Sequence, residues 1–154
     1  IGARGISVNE PRYSMLYRYP ELNVLPTTGS EGIGNVVFSP LAHGMLTGKY
    51  KPGEPVPHGS RMAGDDTNMV LKAMYWSEEN KKKVQQMAAI ADGMGVTCAI
   101  LALAWCLHRP EVTSTIDGAT RVSQIHDDVR AADLKIPDDV LKKLDELFPA
   151  PKIG

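Results

Sequence analysis

The chain has 154 residues, with 17 basic against 18 acidic side chains and a formal net charge of −1, so electrostatics makes no case for nucleic acid or an anionic membrane as partner. Apolar residues make up 43% and charged residues 23%, the balance of a folded domain with a real core and not of a disordered segment. No apolar run approaches the roughly 18 residues of a membrane span, and the N-terminus lacks the regions of a signal peptide.

Residues 1–12 carry a short apolar alternation, Ile6 and Val8, before Pro11. The chain opens on Ile1 and reaches this strand-like segment almost at once, so a missing upstream portion is expected. Tyr13 to Pro20 reads as a strand end passing into a loop. Leu22, Val24 and Leu25 give a weak helical pattern that Pro26 and Gly29 shorten or break. Gly32-Ile33-Gly34 feeds a second strand at Val36-Val37-Phe38, a β-branched and aromatic run that Ser39-Pro40 stops.

The stretch after that strand is rich in small residues (Ala42, Gly44, Gly48) and ends in Lys49. A strand that runs into a small-residue loop closed by a lysine suits a phosphate set against backbone N–H groups; the same residues also read as a strand followed by an ordinary loop. Residues 51–72 are dense in Pro and Gly, and a long loop over 51–76 is expected on the ligand side of the fold.

Ser77 predicts an N-cap, with Glu78 and Glu79 in the first turn, for a helix whose apolar face is Val84, Met87, Ala88 and Ala91 and which Gly93 and Gly95 end. Thr97 caps a further helix with an apolar face of Ile100, Leu101, Ala104 and Leu107, stopping at His108-Arg109-Pro110. Cys98 and Cys106, eight apart on that helix, lie about 12 Å from each other along its axis, too far for a disulfide. Both are expected to be buried thiols of a reducing, cytoplasmic protein.

Val112 to Ile116 is a β-branched strand, Asp117-Gly118-Ala119-Thr120 the turn after it, and Ser123 to Leu134 a helix. Pro137 fits the first position of a last helix with Val140, Leu141, Leu144, Leu147 and Phe148 on one face. Strands alternating with helices imply βα units and a parallel sheet; three strands are too few to close a barrel and look like part of one. The adjacent carboxylate pairs, Asp65-Asp66 in a loop and Asp138-Asp139 in a helix first turn, need only solvated or dipole roles. The sequence has no Gly-x-Gly-x-x-Gly after a strand, no metal-like Cys/His cluster and no Gly-x-Ser-x-Gly.

Four motifs spread over nearly the whole chain resemble the C-terminal half of an aldo-keto reductase, in the branch related to potassium-channel β subunits. They are Pro11 to Arg18, Phe38-Ser39-Pro40-Leu41-Ala42 through Gly48-Lys49-Tyr50, Gly59-Ser60-Arg61-Met62, and Gly118-Ala119-Thr120-Arg121-Val122-Ser123-Gln124. The resemblance implies an α/β fold, strands 6–8 of a (β/α)8 barrel in one partial domain over 1–154, and NADP(H) as cofactor.

It implies Tyr13 stacked on the nicotinamide, Phe38, Ser39 and Pro40 lining the site, and amides of Leu41 and Ala42 with Lys49 on the pyrophosphate. Arg61 and Arg121 fall to a 2′-phosphate, and Gly118, Thr120, Gln124, Asp127 and Asp128 to the adenosine pocket. Glu10 stands where the family has Gln, and Asp127-Asp128 where it has Glu-Asn, which replaces an amide donor by a carboxylate.

The family's catalytic Asp, Tyr, Lys and His belong to earlier strands, so no catalytic residue is expected here. His43, His58, His108 and His126 are read as structural or solvated. Three functions follow: the cofactor-binding half of an NADPH-dependent carbonyl reductase, inactive alone; a non-catalytic half-barrel nucleotide-binding or interaction module that self-assembles; or a remnant with no function of its own. A homo-oligomer or a missing N-terminal half is the expected partner.

Overall fold

The computed structural model describes residues 5–63 and 69–152; Asp65 and Asp66 lie outside them. Three parallel strands, β1 (Val8–Asn9), β2 (Gly34–Phe38) and β3 (Val112–Ile116), form one sheet in the order β1-β2-β3. Parallel pairing continues past β1, where Arg12 bridges Phe38, the Phe38 amide donates to Pro11 O and the Tyr13 amide to Phe38 O. Between β2 and β3 the register pairs Val36 with Ser114 and Phe38 with Ile116, after an irregularity at Asn35/Val36.

The helices are α1 (Val24–Ser30), α2 (Met69–Tyr75), α3 (Glu78–Gly93), α4 (Cys98–Leu107), α5 (Val122–Asp128) and α6 (Asp138–Leu147). Ser77 and Thr97 cap as their positions predict, accepting from the amides of Asn80 and Ile100. The helix-to-strand and helix-to-helix turns reuse one device. After α1, Gly32 at φ +66 lets the Ile33 amide reach back to Thr28 O, and after α3, Gly95 at φ +69 lets Val96 reach Ala91 O.

α4 departs from the expectation of a single apolar face. Cys98 and every residue from Ile100 to Cys106 are buried, because α4 packs on β3 and is covered by α3, α5 and the turn at Val129–Ala132. Both cysteines are free and buried. The expected loop over 51–76 is also corrected: it contains a 3-10 turn at Arg61–Ala63 and then α2, whose Tyr75 is buried in the core. The expected helix from Ser123 to Leu134 is α5 followed by a tighter turn at Val129–Ala132. Pro137 precedes α6, whose Asp138 and Asp139 face the helix dipole and whose Leu144, with Phe148 just after the helix, enters the core.

One cation ties these layers together. Arg18, buried, pairs with both carboxylate oxygens of Glu21 (2.7 and 2.9 Å), with Asp145 of α6 (2.7 Å) and with Phe148 O (2.6 Å), while its guanidinium lies 4.9 Å over the Trp105 ring of α4. Burial alone raises the Glu21 pKa, but hydrogen bonds from Arg18 and Tyr13 outweigh it and hold the group below its ordinary range near 4.5.

Removing one partner leaves the other charge buried, so Arg18→Met is expected to cost about 3 kcal/mol or more in urea unfolding. Because the folded Glu21 pKa is depressed, its stabilisation is present above its ordinary range and lost as pH falls through the lower folded value. Glu21→Gln, less stable at pH 7, is therefore expected to lose less further stability on acidification than the parent, which pH-dependent urea midpoints check.

Candidate functional site

The three strands end together, and the chain leaving β2 and β3 encloses a cavity of about 730 Å³ beyond their carboxyl ends. That volume is in the range of small-molecule sites, and the carboxyl edge of a parallel sheet is where α/β proteins bind ligands. Phe38, Ser39, Pro40 and Leu41 line one side with Lys49 and Arg61, and Gly118, Thr120, Gln124, Asp127 and Asp128 line the other. Segments separated by some 80 residues of sequence thus share one surface.

The loop after β2 is shaped by close approach. Gly48, at φ +81, has Cys98 of α4 so near that a Cβ would sit 2.9 Å from its Sγ. The Gln85 carboxamide of α3 donates to Gly48 O and Tyr50 O, and Tyr50 Oη accepts from the Met62 amide, which ties the Arg61 segment to the same loop. The start of α4 joins the cavity through Thr97 and Ala99, two residues the sequence reading missed because their only local signal was a helix cap.

His43, read from the sequence as structural or solvated, also lines the cavity, and its chemistry is definite. Its Nδ1 lies 3.3 Å from Arg61 Nη1 and its Nε2 3.3 Å from Ser39 Oγ. Burial, then the charges of Arg61 and Arg12, hold its pKa below the usual histidine range, so it is neutral at pH 7. A guanidinium only donates, so Nδ1 accepts and the ring proton sits on Nε2, donated to Ser39 Oγ. The Ser39 hydroxyl proton is then left to donate elsewhere, and Ser39 lines the cavity.

On the opposite wall Asp128 is pushed up to about 6, by partial burial first and then by its hydrogen bond to Asp117 and the charges of Asp117 and Asp127. Gln124 Oε1 accepts from Thr120 N, Thr120 Oγ1 and Arg121 N, so its carboxamide oxygen is spent on holding the turn before α5.

Three residues expected at the site are not on this surface. Tyr13 is wholly buried; its ring stacks on Trp105 at 5.3 Å and its hydroxyl donates to Glu21 at 2.7 Å, so it offers no face to a ligand. Burial, then that carboxylate, push its pKa far up. Ala42 is buried at φ +47, and its amide already donates to Ser39 O at 2.9 Å. Arg121 is exposed at the start of α5 and does not line the cavity. The aromatic surface in the cavity belongs to Phe38, half-buried at the end of β2.

Residues 2–148 match the Aldo/keto reductase family. Similar proteins include a probable voltage-gated potassium channel subunit beta of Arabidopsis thaliana, 42% identical over 132 residues, which cover 84% of this chain and 39% of that one. A putative subunit of the same kind from Schizosaccharomyces pombe is 39% identical over 146 residues, 91% of this chain and 41% of that one. The L-glyceraldehyde 3-phosphate reductase of Escherichia coli is 33% identical over 126 residues, 80% of this chain and 36% of that one.

The chain belongs to the aldo/keto reductase family, whose (β/α)8 barrel accords with an α/β unit of three parallel strands. It spans about two fifths of the length of these relatives. Among the described residues no single helix is long and apolar enough to cross a membrane.

Asp128 supplies a pH test. As pH rises through about 6 it becomes a charged acceptor facing the cavity, so NADPH, whose ribose hydroxyls and adenine amino group donate, is expected to gain affinity relative to Asp128→Asn, which cannot ionise. Parallel titrations of the two proteins from about pH 5 to about pH 7.5 cancel the titration of the ligand's own phosphate; equal slopes would count against a ligand beside Asp128.

Proposed function

We propose that this chain is the NADP(H)-binding C-terminal half of an aldo/keto reductase-type oxidoreductase that reduces aldehydes or ketones, with β1, β2 and β3 as strands 6–8 of the barrel. The observation that carries this reading is the division of charge in the cavity: Lys49 and Arg61 on the β2 side, Asp117, Asp127 and Asp128 on the β3 side. Phosphates need cations and charge-assisted donors, while ribose hydroxyls and an adenine amino group donate to carboxylates. A dinucleotide phosphate presents both along one molecule. Phe38, with Ser39 beside it, supplies the flat face and hydroxyl donor at the nicotinamide end.

The proton donor that carbonyl reduction requires belongs, by the family resemblance, to the barrel's other half. The partner is that N-terminal half or a second copy, in the cytoplasm. Two features support this: β1 and β3 each pair on one side only among the described residues, and Ile6, Val8 and Ile116 stand exposed at those margins. The same open edges favour the second reading, a non-catalytic nucleotide-binding or interaction module that closes its sheet by self-assembly.

Fluorescence titration of NADPH is expected to show saturable binding, weakened about tenfold by Lys49→Met or Arg61→Met, since a charge-assisted contact is worth about 1.5–3 kcal/mol. No response at millimolar cofactor would defeat the first reading and the nucleotide-binding form of the second, leaving only a self-assembling interaction module. A small aldehyde is expected to be reduced only when a complementing N-terminal half is added; turnover by the chain alone would place a proton donor within it. Light scattering is expected to find a dimer or larger assembly for the isolated chain.

A further inference from the structure

Among the described residues Arg12 is a cation without a counterion. Side chains alternate along a strand, and Tyr13 points into the helix layer, so Arg12 points to the open face of the sheet. Its backbone bridges Phe38, and Phe38 pairs in register with Ile116, which sets Arg12, Phe38 and Ile116 in a row across the carboxyl ends of the strands. The Arg12 guanidinium carbon lies 5.6 Å from the Phe38 ring centroid and 5.1 Å from that of Tyr17, and its Nη1 donates to Met74 Sδ at 3.4 Å. Two aromatic faces and a thioether hold the cation in place but do not neutralise its charge.

Arg12 Nε is buried with no hydrogen-bond partner, and no carboxylate of the described residues lies within 4.0 Å of the side chain. The Tyr75 hydroxyl at the end of α2 is buried beside it, with the Arg12 guanidinium as its polar neighbour. The Arg12 charge acts on both Tyr75 and His43, which places it between the α2 side and the cavity wall. The contrast with Arg18 is direct: an arginine buried for structure has two carboxylates and a carbonyl, whereas half-buried Arg12 keeps an unpartnered Nε and, among the described residues, has no carboxylate to accept from it. A planar guanidinium stacked on aromatic rings is fixed in position, and it matches an oxyanion through two parallel N–H groups.

We propose that Arg12 is a specificity-determining residue that binds an oxyanion, a carboxylate or a phosphate, carried by the carbonyl substrate. The carbonyl then lies over the Phe38 end of the cavity, a placement that rests on the cofactor reading above. An acidic aldehyde is preferred over a neutral one of the same size.

The test titrates the full chain, saturated with NADP⁺, against benzaldehyde, 4-carboxybenzaldehyde and 4-formylphenyl phosphate by calorimetry. Saturation occupies Lys49 and Arg61, so they do not report on the phosphate arm. At least one acidic aldehyde is expected to bind about tenfold or more tightly than benzaldehyde, and comparison of the two separates a carboxylate site from a phosphate site. Arg12→Met is expected to abolish the preference and Arg12→Lys to restore part of it; Arg12→Gln replaces Arg12→Met if the latter does not melt cooperatively.

A parent protein with no preference, or a variant that keeps it in full, overturns the proposal. If NADP⁺ does not bind, the cofactor reading fails by itself. The carboxylate arm, run without cofactor, then still decides Arg12 by the same comparison.

Discussion

The parallel register through β2 is the constraint on which the rest of this molecule depends. β2 is the central strand, and its pairing with both neighbours brings three carboxyl ends level, with Arg12, Phe38 and Ile116 in one row. Chain leaving β2 and chain leaving β3 must then turn over the same rim, which is why residues near 40, 60 and 120 share a cavity. Asn35 pins the other end of the strand. It is wholly buried and donates to Thr28 of α1 and to Glu111 O before β3, while Asn9 of β1 donates to it. One side chain therefore ties all three strands to α1, and every lone pair or proton it uses is met inside the fold.

Arg18 performs the complementary task on the helix side. A buried ion pair is weak as a source of net stability, since desolvation cancels most of its attraction. Its value lies in what else fits. The bidentate Glu21 contact holds the chain after Tyr13, the Phe148 carbonyl and Asp145 hold the end of α6, and the face of Trp105 closes the guanidinium from above. Tyr13 belongs to this assembly through Glu21 and Trp105. The residue is a structural pillar for the strand end that carries Arg12.

That point explains how far the sequence could be read. Capped helices were legible because their signals are local: Ser77 and Thr97 need only an amide three residues on. The parallel βα order and the motifs around Phe38, Arg61 and Gly118 were legible as well. Tyr13 was not, because side-chain period along a strand is two and a shift of one residue exchanges the faces. Only the Arg12–Phe38 bridge fixes which of the two neighbours faces the ligand side. α2 was missed because it follows a long stretch dense in Pro and Gly, and its order derives from burying Tyr75, a tertiary cause.

The backbone between β2 and Lys49 carries a further sign of function. Ser39, Ala42 and His43 occupy the left-handed region at φ +56, +47 and +56, where a side chain costs roughly 1–2 kcal/mol. A chain selected for stability alone would place glycine at such positions, as it does at Gly44 and Gly48. Side chains are kept here in spite of the strain, and two of the three then act on the cavity: Ser39 lines it, and His43 joins that hydroxyl to Arg61 in a fixed tautomer. The strain positions a donor and a cation whose geometry a relaxed glycine loop could not hold.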